Sequence, residues 1–307
     1  MFRFVNPPRR RSAYTLLEMV IVIVMSVFLL GLIFPAVQKA REVAANLSCE
    51  NNLKDIGVAM QQHHATNGSF PPAGTTTPLP QGHSFLTFLL PNLGQEGLYR
   101  SIDLEQSVWS RANLDSSAKT TIIKMFICPT AIPRTGGISY VAAGYLPADS
   151  GATNLGPVDY AVVTGVGGSF ASLLPAGSEI GNTGLLQLDS RATKEDCQDG
   201  LSNTIVMAED AGRTTRFDLG KQIPGRFSSG GAWLDYHAEF TVDGYASNGA
   251  CAVNCTNDNE IYSFHPGGAQ ILRADGSVTF LRRSISPGVL AAAISKAGGE
   301  AVVASDF

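Results

Sequence analysis

The longest pattern in the chain is an unbroken apolar run. Nineteen uncharged residues, Met19 to Val37, follow a lone carboxylate at Glu18, and a leader carrying Arg3, Arg9, Arg10 and Arg11 precedes them. Roughly twenty apolar residues cross a bilayer as a helix, so the run predicts a membrane anchor. Beyond Arg41 the apolar positions narrow to a stripe, with Cys49, Leu53, Ile56 and Met60 recurring at helical spacing. One helix is therefore expected from Tyr14 to about Thr66, stopped by Asn67-Gly68 and by Pro71-Pro72. At 1.5 Å per residue it would be on the order of 80 Å long.

The remainder reads as a different kind of structure. Ser84 to Leu90, Gly94 to Ile102 and Pro287 to Lys296 predict short helices, the last closed by Gly298-Gly299. Thr121 to Ile127 is β-prone, and strands are expected at Ser139 to Val141, Asp159 to Val163 and Thr204 to Ala208. The sharpest local signal is Asp275-Gly276 between two β runs, which predicts a two-residue hairpin pairing Arg273 with Val278 and Ile271 with Phe280. The expectation is an α+β chain in three parts: a leader over 1–13, a helix over 14–68 that is membrane anchor to about 37 and amphipathic spine after, and a mainly antiparallel head over 69–307.

Glu18 is the anomaly in the apolar helix, because a carboxylate at membrane depth needs a partner. An α-amino group supplies one if the chain is cut just before Tyr14. The stretch Ser12-Ala13-Tyr14-Thr15-Leu16-Leu17-Glu18 resembles the processing signal of type IV prepilins and type II secretion pseudopilins. By that resemblance a prepilin peptidase/methyltransferase cuts after Ala13, where Gly is more usual, and methylates Tyr14. Glu18 becomes the fifth mature residue and pairs with the amine of a neighbouring subunit, and Pro35 falls where many pilins kink the helix. A secretory signal cut near Val43-Ala44-Ala45 is a competing reading, but Lys39, Arg41 and Glu42 interrupt its approach. A plain uncleaved anchor explains the length and leaves Glu18 without a purpose.

Charge narrows the partners. The formal charge is -4, and removal of the four-arginine leader takes it to -8. An acidic head without a basic patch excludes nucleic acid as the natural ligand. Arginines concentrated before the apolar run favour a cytoplasmic N-terminus and a head in the periplasm or outside. Five cysteines suit an oxidising compartment. Cys251 and Cys255 are close enough to staple a loop, Cys49 with Cys128 is the second candidate disulfide, and Cys197 is left odd.

A second resemblance covers nearly the whole chain. Cys49-Glu50-Asn51-Asn52-Leu53-Lys54, Gly68-Ser69-Phe70-Pro71-Pro72, Asp199-Gly200-Leu201-Ser202-Asn203-Thr204 with Glu209, and His265 nine residues before Asp275-Gly276 are similar to a large bacterial family of unknown molecular role. That family carries a pilin-type N-terminus and a C-terminal H-x9-D-G motif; the resemblance implies an envelope protein and no activity.

Candidate chemistry in the head is sparse. His265 and Asp275 suggest a dyad, but an extended strand between them separates the two by roughly 20 Å, so a packed His265 at the hairpin base is expected. Asp199, Ser202, Asn203 and Glu209 have metal-ligating atoms yet read more simply as turn residues. The Asn257-Asp258-Asn259-Glu260 loop has oxygen chemistry suited to calcium without EF-hand spacing. Zinc at the Cys251 loop lacks a second ligand pair. No hydrolase or nucleotide motif occurs, so no cofactor and no enzymatic activity are expected. The reading is a pseudopilin-like structural subunit in the inner membrane, partnered by other pseudopilins or by itself and by the lipid bilayer. The alternative is a tethered module binding a glycan or a protein, for which Trp109 and Trp233 are the residues to inspect.

Overall fold

A computed structural model describes residues 14–77, 82–144, 146, 150–173, 183–245 and 251–298. Contacts within the chain divide it into Met1–Ala44 and Ala45–Phe307. Helix α1 (Leu16–Asn67) begins in the first unit and ends in the second. In the first unit its apolar side chains are exposed, and a stretch with mean hydropathy 2.9 is long and apolar enough to cross a membrane. The expected stop is in place, because Gly68 adopts φ 75°, the left-handed conformation that ends a helix.

The second unit is an α+β head. Its helices are the C-terminal part of α1, α2 (Phe85–Leu89), α3 (Glu96–Arg100), α4 (Arg111–Leu114), α5 (Gly168–Ala171) and α6 (Pro287–Ile294). Its strands are β1 (Tyr160–Val166), β2 (Ile205–Glu209), β3 (Thr214–Asp218), β4 (Lys221–Ser228), β5 (Glu239–Val242), β6 (Gly268–Arg273) and β7 (Val278–Arg282). Five strands form one sheet in the order β5-β1-β2-β6-β7, antiparallel except for the β1–β5 pair, and β3–β4 forms a separate hairpin.

Alternation along the strands divides the core in two. Val162, Met207 and Leu272 pack in one cluster with Leu53, Ile56 and Met60 of α1. Ala161, Val163, Ala208 and Ile271 pack in another with Leu290, Ala291 and Ile294 of α6. The sheet is therefore a middle layer, which is why β1 and β2 are buried along their whole length and read as continuous apolar runs. The same alternation puts Glu209 on the side of Met207, beneath α1.

Three local expectations are corrected. Residues Lys124–Phe126 form a 3-10 turn where a strand was expected, because Asp159 replaces a ladder partner: its N–H donates to Phe126 O at 2.8 Å and its Oδ2 accepts from Cys128 N at 2.9 Å. Ser139 to Val141 leads into a turn and is not a strand, with Ile138 bridging Leu155 and Tyr140 N donating to Ala152 O at 3.0 Å. The Asp275-Gly276 hairpin is one residue out of the expected register, with Leu272 opposite Val278 and Ile271 opposite Thr279. Gly276 N donates to Arg273 O at 2.9 Å with Gly276 at φ 90°, so a wider turn closes the hairpin and Asp275 avoids positive φ.

Candidate functional site

Two regions carry the residues singled out by the sequence. The first is the start of α1. Thr15 caps the helix and Glu18 is its third helical residue. The Glu18 carboxylate accepts from Thr15 N at 2.8 Å and from Thr15 Oγ1 at 2.9 Å, while Thr15 Oγ1 accepts from Glu18 N at 3.2 Å. This is a reciprocal capping box, Thr-x-x-Glu, which satisfies backbone N–H groups that a helix start leaves unpaired. Glu18 thus has a partner in its own chain, at the Thr-x-x-Glu spacing that the sequence carries. Tyr14 is exposed, and Ala13 with the rest of the leader lies outside the described residues. Pro35 sits inside α1 and has no N–H to give to Gly31 O.

The second region lies under the C-terminal part of α1, where both ends of the His265 to Gly276 motif meet the helix. At one end, a Cβ added to Gly57 would lie 2.8 Å from Leu272 Cδ1 and 3.1 Å from Gly276 Cα, and Gln61 Nε2 donates to Ala274 O at 2.5 Å. Both glycines are required by this contact: Gly276 for its positive φ and Gly57 for the missing side chain. At the other end, His265 Nε2 lies 3.3 Å from Cys49 Sγ, 3.4 Å from Cys128 Sγ and 3.5 Å from Glu209 Oε1. Cys49 and Gly57 are eight residues apart, so the motif spans about 12 Å of helix.

His265 is held from several directions. Its N–H donates to Ser263 Oγ at 3.1 Å, Ser263 Oγ donates to Gly268 O at 2.6 Å, and Asn254 Nδ2 donates to His265 O at 3.3 Å and to Gly268 O at 3.0 Å. Glu209 Oε2 accepts from Gln270 N at 2.7 Å. Burial pushes the Glu209 carboxyl above the usual range, opposed by the neighbouring imidazole. Cys49 and Cys128 are joined in a disulfide with Cα atoms 5.4 Å apart, and Cys251 with Cys255 in another at 6.1 Å. Cys197 is a buried thiol.

The other sequence candidates separate. Asp199 Oδ2 accepts from Gly298 N at 2.7 Å, Asn203 Nδ2 donates to Asp199 O at 2.8 Å and Thr204 Oγ1 donates to Gly200 O at 3.3 Å. Ser202 is exposed. These residues fasten a turn to the C-terminal segment, while Glu209 goes to His265. Asn257 is spent on backbone, donating to Ala211 O and Thr215 O and accepting from Phe217 N. Glu260 accepts from Asp243 N at 3.0 Å and from Gly244 N, and its burial raises its pKa to about 9. Asp258 pairs with Arg216, so the loop's side chains are directed to different neighbours, while Glu260 Oε2 is buried without a hydrogen-bond partner. Trp233 is fully buried with Nε1 donating to Thr121 O, and the half-buried Trp109 packs against Tyr140. The head does have a cleft of about 700 Å³, lined among others by Phe70, Phe88, Tyr99, Thr76, Asp189 and Arg191.

Residues 38–288 match the family described as "Protein of unknown function (DUF1559)". No curated protein and no solved structure matches the chain.

Proposed function

The chain belongs to this family of unknown function, DUF1559, and we propose that within it the protein is a pseudopilin-like structural subunit. A prepilin peptidase/methyltransferase cuts between Ala13 and Tyr14 and methylates Tyr14. The mature chain, held in the inner membrane with its head in the periplasm or outside, then assembles through α1 with other pseudopilins or copies of itself, in a type II secretion or pilus-like system. The observation that carries this reading is the position of Glu18: a carboxylate in the first turn of an exposed apolar helix that begins two residues beyond Tyr14. Apolar side chains exposed from Tyr14 to Val43 supply a surface for lipid and for neighbouring helices. The N-terminal peptide of membrane-fraction protein, read by mass spectrometry, tests the reading. A chain starting at methylated Tyr14 supports it; a chain starting at Met1 or near Asn46 refutes it.

A second reading is favoured by the 700 Å³ cleft. The two part-exposed rings of the cleft, Phe88 and Tyr99, lie beside Asp189 and Arg191 and form a surface able to stack on sugar rings and bond their hydroxyls. In that case the head is a tethered glycan-binding module without a filament. Tyr99→Ala would then weaken retention of the protein on immobilised polysaccharide, with membrane anchoring unchanged.

A further inference from the structure

The neighbourhood of His265 has the composition of a metal centre. Cys49, Cys128, Glu209 and His265 each present one ligating atom, all four atoms lie within 4.8 Å of one another, and all four residues are buried. They come from four separate segments: α1, the loop after the Lys124–Phe126 turn, β2 and the loop before β6. No spacing in the sequence announces such a set.

We propose that, when Cys49 and Cys128 are thiols, these four residues hold one zinc ion, and that the disulfide is the metal-free state of the same site. Zinc binds thiolate at about 2.3 Å and nitrogen or carboxylate oxygen at about 2.0–2.2 Å in a tetrahedron, which puts neighbouring ligand atoms roughly 3.3–3.8 Å apart. The three separations from His265 Nε2 are 3.3, 3.4 and 3.5 Å. The sulfur–sulfur edge is shorter because the sulfurs are bonded, and the two sulfur–carboxylate edges lie within the 4.8 Å that encloses the whole set.

The donor chemistry selects the ion. Two thiolates, an imidazole and a carboxylate suit zinc or cobalt rather than calcium or magnesium. Glu209 supplies an independent indication. It is fully buried on the apolar side of β2, and its Oε1 has no hydrogen-bond donor at normal distance, His265 Nε2 lying 3.5 Å away. A buried carboxylate oxygen without a close partner is costly, and a cation between the four side chains satisfies it. The outer contacts expected of a metal centre are also present: Gln270 N–H orients Glu209 through Oε2, and Ser263 and Asn254 fix the backbone around His265. Pro266 and Gly267, next to His265, and Pro129, next to Cys128, are exposed.

The two states interconvert with balanced chemistry. A small-molecule disulfide takes two electrons from the two zinc-bound thiolates and is reduced to two thiolates. The Cys49 Sγ–Cys128 Sγ bond forms and the zinc ion leaves. A phosphine or dithiol reductant returns the electrons and restores the ligands.

The test uses the full chain in detergent, reduced with a phosphine and titrated with Co²⁺. One equivalent should bind, with thiolate-to-cobalt charge-transfer absorption and the intense visible bands of a tetrahedral site. Zinc should displace the cobalt, and oxidised glutathione should abolish the spectrum. A Cys251→Ser/Cys255→Ser chain should keep it, whereas His265→Ala and Glu209→Gln should weaken cobalt binding at least tenfold. Reduced wild-type protein that takes up no cobalt, or loses its circular-dichroism signal on reduction, overturns the proposal. So does a spectrum that survives His265→Ala and disappears with Cys251 and Cys255.

Discussion

Gly276 Cα lies 3.1 Å from where a side chain on Gly57 would begin, so the tip of the C-terminal hairpin rests on the backbone of α1. The Asp-Gly of the motif is thereby a docking element for the helix as much as a turn. A Gly57→Ala substitution adds a methyl into a contact bounded by Gly276 backbone and Leu272. Gain in helix propensity is smaller than the overpacking cost, which is about 1–3 kcal/mol. Chemical denaturation of the variant should show a lower midpoint with an unchanged slope.

Two substitutions separate the capping of α1 by Glu18 from its proposed pairing with a neighbouring amine. Gln retains the capping interaction with Thr15, since Glu and Gln both serve at this position of a capping box, but it removes the charge. If Glu18 pairs with a neighbouring amine, both Glu18→Gln and Glu18→Ala abolish cross-linkable assemblies while leaving the head folded. If the carboxylate serves only the helix start, Glu18→Gln assembles at wild-type levels. Cross-linking of intact membranes followed by immunoblotting reads the difference.

The head should lose stability as pH rises. Glu260 has a folded pKa of about 9, and burial pushes the Asp210 carboxyl upward as well, against the pull of the Arg213 guanidinium paired with it. Both lie above the unfolded values near 4, so between those limits the folded state holds protons that the unfolded chain has released. Stability from this source is fully present below the unfolded pKa and is lost as pH rises through the folded one, by up to about 1.4 kcal/mol per pH unit for each group. Glu260→Gln keeps an acceptor for Asp243 and Gly244 and removes one of the two protons. Its unfolding free energy, measured from pH 5 to 9, should therefore fall less steeply than that of the wild type.

The two disulfides should differ in worth. Closing the 79-residue separation between Cys49 and Cys128 restricts the unfolded chain far more than closing the four-residue separation at Cys251 and Cys255. Chain entropy gives about 4.5 kcal/mol for the first and about 2 kcal/mol for the second. In metal-free buffer, Cys49→Ser/Cys128→Ser should lower the denaturation midpoint roughly twice as much as Cys251→Ser/Cys255→Ser.

Where the sequence was readable, one short-range signal sufficed. The stripe of Cys49, Leu53, Ile56 and Met60 marks the buried face of α1, and Ser84 and Ser286 cap the helices that follow them. Turns were less legible. Leu219-Gly220 closes the two-residue β3–β4 connection, both at positive φ, although Leu is a poor signal there; Asp275-Gly276, the better signal, closes a wider one. The four-residue β5 and the exposed β4, with Pro224 and Gly225 inside it, carry little strand character of their own. The His265 neighbourhood was hidden for another reason. Its members are between 56 and 216 residues apart in sequence and meet only through tertiary packing. Glu209 looked like part of the Asp199 turn until strand alternation turned it inward.

The helix that begins as an anchor ends as a core element, and this restricts how the head can be shed. The buried residues of α1 run from Cys49 to Met60, and the second unit starts at Ala45. A protease cutting around Val43-Ala44-Ala45 leaves every one of those side chains with the head and releases an intact soluble fragment. A cut a few turns later removes the strip on which the hairpin tip and His265 rest, and the fragment loses its core. Limited digestion should therefore yield a stable product whose first residue lies before Cys49.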